Sequence, residues 1–155
     1  MSTFQSAEAS RMASLPVRLG QAFVGGVLAV PVFHQMLLWI LHAAGIVPNA
    51  PFNMAPTKPL GLPEIVSISF WGGVWGVVFA LTLRRWFRGT AYWIAAPVAG
   101  GVALTLVFML VVWPLKFGGF PPHPLGLFIL GFLLNAAWGI GWALFLHWFE
   151  RMRSA

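Results

Sequence analysis

The chain contains no cysteine and no aspartate, and only three of its 155 residues are acidic: Glu8, Glu64 and Glu150. The missing cysteine removes disulfides, thiolate catalysis and cysteine-based zinc or iron–sulfur sites together. Without aspartate there is no Ser/His/Asp set, and three scattered glutamates provide no paired carboxylates for acid–base work. Ion-coupled carriers usually keep an acid within the membrane, and here only Glu64 comes near, at the edge of an apolar run. Charged residues of both signs make up 8% of the chain, against roughly 25% in soluble domains, too few to wet a water-exposed fold. The expectation is a protein that is not an enzyme and holds no metal.

Nor does the net charge of +6 signal a nucleic-acid partner. The nine Lys and Arg sit at the ends of apolar runs and form no basic stripe. Residues 1–17 are small and polar with no apolar h-region, so no cleaved signal is expected.

What is present is apolar: 59% hydrophobic residues and a mean hydropathy of +0.85. Crossing a hydrocarbon core of roughly 30 Å takes about 20 apolar residues in a helix. Four runs qualify, over about 21–45, 64–84, 91–114 and 124–149. Inside lipid every backbone polar group needs an internal partner, so these runs are read as helices. The predicted fold is an all-α membrane protein: a flexible cytoplasmic segment over 1–18, then one four-helix transmembrane domain over 19–155.

Cations set the expected orientation. Arg11, Arg18, Arg84, Arg85, Arg88, Arg151 and Arg153 fall on one side, Lys58 and Lys116 on the other. The positive-inside rule then puts both termini in the cytoplasm of a bacterial-type inner (plasma) membrane. The outer connections, Gly45 to Pro63 and Lys116 to His123, are rich in proline and are predicted to be stiff.

Short motifs recur between the halves. Trp71-Gly72-Gly73-Val74-Trp75 is echoed by Trp138-Gly139-Ile140-Gly141-Trp142, and Pro59-Leu60-Gly61-Leu62 by Pro124-Leu125-Gly126-Leu127. Gly25-Gly26-Val27 with Val32-Phe33 matches Gly100-Gly101-Val102 with Val107-Phe108. Such self-similarity predicts two tandem helical hairpins, repeat A over about 21–88 and repeat B over about 96–153. With two spans per copy, both insert the same way up, related by an axis along the membrane normal. Small residues four apart, such as Gly72 with Gly76 and Asn135 with Gly139, would let the helix backbones approach.

The residues that stand out chemically are few. Trp71/Trp75 and Trp138/Trp142 each form an aromatic ridge, since residues four apart share a helix face. One reading makes them packing between hairpins, each indole N–H finding an acceptor. The other makes them a groove for a flat apolar ligand: a lipid, a quinone or a tetrapyrrole. His34, Gln35, Ser69 and Asn135 are polar groups within the spans and candidates for one shared ligand-binding spot, although structural hydrogen bonding explains them adequately. Arg84, Arg85, Arg88, Arg151 and Arg153 are expected to anchor on anionic headgroups. No cofactor is required by the sequence.

These features favour a non-catalytic inner-membrane protein, an accessory or assembly subunit of a larger membrane complex or a lipid- or pigment-contacting module. Its expected partners are membrane lipids and other membrane subunits or further copies of itself. A small oligomeric transporter or channel is the alternative, and a haem- or quinone-binding redox subunit ranks behind it.

Overall fold

The computed structural model describes the backbone of residues 3–154 and the side chains of residues 15–152. Four helices are long and apolar enough to cross a membrane: Leu15–Ala43, Glu64–Trp86, Thr90–Phe117 and Pro124–Met152, called spans 1 to 4 below. At about 1.5 Å per residue, the 29 residues of spans 1 and 4 reach about 43 Å, longer than the hydrocarbon core. One helix runs from Thr3 to Ala29, across residue 18. Arg11 and Arg153 lie outside the described side chains.

Spans 1 and 4 form the spine. Span 2 packs on span 1 and span 3 on span 4, while spans 2 and 3 approach each other along Thr90–Ala99. Glycine makes the close approaches. A Cβ on Gly26 would collide with the carbonyl oxygen of Gly72, and one on Gly139 with that of Ala96. Touching backbones gain dispersion contacts that a side chain at these positions would forbid. The two pairings stand in different registers. Gly72, immediately after Trp71 in the first W-G-x-x-W segment, sits on Gly26, whereas Gly139, immediately after Trp138 in the second, sits on Ala96 and Pro97.

Spans 1 and 3 are not uniform α-helices. Val30–His34 forms a π turn in span 1, and Gly100–Leu104 and Phe108–Val112 form two more in span 3. Pro31 lies inside the first. A proline has no N–H for the i−4 carbonyl and its ring crowds that oxygen, so the chain widens, and the Gln35 N–H reaches back five residues to the Val30 oxygen.

The long connection between spans 1 and 2 is built, not slack. Pro56–Thr57 and Leu62–Pro63 pair as a minimal antiparallel ribbon, closed by Gly61 at a φ of 68°. Its carbonyls cap span 2: Ala55 O accepts from Glu64 N at 3.0 Å and Asn53 O from Ile65 N at 3.1 Å. First-turn donors of a helix have no partner within it, and here the loop provides one.

Candidate functional site

The Trp pairs, alike in sequence, have different surroundings. Trp138 and Trp142 are 1% and 0% exposed, whereas Trp71 is 58% exposed and Trp75 half-buried. The buried indoles stack at 6.3 Å with 15° between their planes. Trp138 Nε1 donates to the Gly26 carbonyl at 2.9 Å and Trp142 Nε1 to the Ala22 carbonyl at 3.2 Å. Phe79 of span 2 sets its edge against both, at 5.5 and 5.6 Å, and Tyr92 of span 3 tilts against Trp142 at 6.1 Å. All four spans therefore meet at Trp142. A buried indole donor needs an acceptor, and these have found backbone oxygens.

The Trp71/Trp75 pair lies at the periphery. Trp75 packs edge-on to Phe79 at 6.0 Å, and Trp71 contacts Phe70 on the outer surface of span 2. Their ridge opens outward because Gly72, Gly73 and Gly76, on the opposite side, are what span 1 and the span 4 indoles press on.

The polar candidates divide into two groups. Gln35, 4% exposed, accepts from the Phe52 backbone N–H at 2.8 Å, fixing the long loop to span 1. Its Nε2 lies 3.4 Å from His34 Nδ1. Asn135 donates instead to Thr105 Oγ1 at 3.0 Å, joining spans 3 and 4, with Thr105 fully buried. Ser69 is half-buried on span 2, and among the described residues no hydrogen bond links it, His34 and Asn135 into one spot. Among the described residues no three His, Asp or Glu side chains gather in a way that could hold a metal ion.

A second cluster sits where Gln21, Arg84, Tyr92 and Glu150 converge, one from each span. Arg84 forms an ion pair with Glu150 and lies 5.5 Å above the Tyr92 ring. Gln21 donates to the Phe149 carbonyl at 3.5 Å, while its Oε1 and the Tyr92 hydroxyl are buried without a hydrogen-bond partner. His147 sets its ring edge against Trp93 at 5.7 Å. Of the basic residues expected at this end, Arg84 is half-buried in the cluster, whereas Arg85, Arg88 and Arg151 are exposed.

Sequence reasoning missed Gln21, Tyr92, Thr105 and the pairing of Glu150. The signals were present: Tyr92 is the only tyrosine, and Glu150 is one of three acids in an otherwise cationic end. Comparisons with known protein families, with curated proteins and with solved structures return no match.

Proposed function

We propose that this chain is a non-catalytic, multi-pass subunit of a bacterial-type inner membrane that acts through contact with lipids and with other membrane proteins. In this reading it is two helical hairpins inserted the same way up, with both termini in the cytoplasm. The cation distribution supports that orientation, since seven of nine Lys and Arg would then lie inside.

One observation carries the functional reading. The most distinctive polar groups within the spans are already engaged by the chain itself: Trp138 and Trp142 with backbone carbonyls, Gln35 with the loop, Asn135 with Thr105. A side chain held this way gives rigidity and leaves little capacity for a substrate. What faces outward is large and apolar, with Phe70, Trp71, Ile94 and Leu110 more than half exposed, a surface suited to lipid tails and neighbouring helices.

Extraction of the full chain in mild detergent followed by native mass spectrometry tests this. The expected result is a co-purifying membrane protein, a further copy, or a retained lipid or chromophore. A bare monomer that carries none of these overturns the proposal.

A further inference from the structure

The connection between spans 2 and 3 encloses a recess of about 260 Å³. Arg84 and Arg88 line it together with Gly89 and the rings of Tyr92, Trp93 and His147. We propose that it is a specific site for the phosphodiester of an anionic phospholipid, rather than part of a diffuse basic surface.

Four features of the recess support this. Its charge is positive: Glu150 is the acid that meets Arg84, and Arg88 adds a second guanidinium. Guanidinium groups donate in a planar fork that matches phosphate oxygens. Gly89, at a φ of 54°, turns the chain sharply so that span 3 opens at Thr90 with no side-chain cap; the Tyr92 N–H is taken by the Gly89 carbonyl at 3.2 Å, and the positive end of the helix dipole adds to the charge of the recess. Tyr92, whose ring lies 5.5 Å from the Arg84 guanidinium, is 8% exposed, and its buried hydroxyl has no hydrogen-bond partner. The aromatic rim fits headgroup depth, since Trp86 and Trp93 are 71% and 38% exposed and indoles favour the membrane–water boundary.

The same geometry selects a lipid of net negative charge. Two guanidinium groups stand in the lining against one acid, Glu150, which Arg84 already holds, so a headgroup without a cation of its own is favoured. This site rests on the lipid-contacting part of the function proposed above and does not depend on a protein partner.

The test uses the full chain in detergent, titrated with phosphatidylglycerol or phosphatidylcholine and read by native mass spectrometry. Arg88→Gln is compared with Arg85→Gln, which removes an equally exposed charge three residues away but outside the lining. Phosphatidylglycerol should be retained over phosphatidylcholine, and R88Q should weaken that retention roughly fivefold while R85Q weakens it by less than about twofold. Equal losses in both variants, or equal retention of the two lipids by the unaltered chain, overturn the site in favour of general surface attraction. Displacement of the lipid by an equal concentration of inorganic phosphate also overturns it, assigning the recess to the free anion. A chain that carries a protein partner yet shows no lipid preference fails this inference alone.

Discussion

The Trp138 indole gives its N–H to the Gly26 carbonyl oxygen at 2.9 Å, on the stretch of span 1 that also presses on Gly72 of span 2. One hydrogen bond thus ties the fourth helix to the tightest part of the first hairpin. Trp138→Phe keeps most of the ring and removes the donor, so it should cost about 1 kcal/mol, the usual worth of an interhelical hydrogen bond in lipid. Thermal unfolding in detergent reads the change. Trp71→Phe, altering an outward-facing ring of the same motif, should shift the transition little. Equal effects from the two would contradict the asymmetry between the pairs.

Glycines on one helix should respond with opposite signs. Gly26→Ala drives a methyl group into the Gly72 carbonyl, and backbone cannot rotate away as a side chain can. A loss of about 1–3 kcal/mol is expected, the range for overpacking. Gly20→Ala meets nothing within 4 Å, so it should be neutral or stabilise by up to roughly 1 kcal/mol through helix propensity.

Gln35→Leu should release the long loop without unfolding the spans. The Phe52 N–H loses its acceptor, and hydrogen exchange over residues 50–57 should accelerate while spans 3 and 4 keep their protection. Unchanged exchange at Phe52 would show that the ribbon and the cap on span 2 hold the loop unaided.

The Arg84–Glu150 pair is partly exposed, at 31% and 26% of the two side chains. A double-mutant cycle of R84Q and E150Q should give a coupling of about 0.2–1 kcal/mol, decreasing as salt is added. A coupling insensitive to ionic strength would place the pair in a drier setting than its exposure indicates.

The four spans were legible because hydrocarbon thickness imposes a length and a composition that few other segments share. The small-residue rows also pointed to where backbones meet, since Gly72, Gly76 and Gly139 occupy the tight contacts. Motif similarity, by contrast, could not separate Trp71 from Trp138. Both precede glycine, and which indole turns inward depends on register between helices, which no single helix encodes. The π turns were missed for a related reason. Pro31 and Pro97 stand within the apolar runs, but whether a proline kinks a helix or widens one turn depends on what its neighbours can satisfy. Gln35 and Asn135 announced themselves by polarity, yet their partners, Phe52 N–H and Thr105 Oγ1, lie 17 and 30 residues away.

The direction of the indole bonds sets the two halves of the chain in unlike roles. Trp138 and Trp142 give the protons, and Gly26 and Ala22 receive them. Cut at Arg88, the molecule would yield a plug and a socket, not two interchangeable pieces. Supplied together as separately tagged pieces, the fragments should reassemble and co-purify.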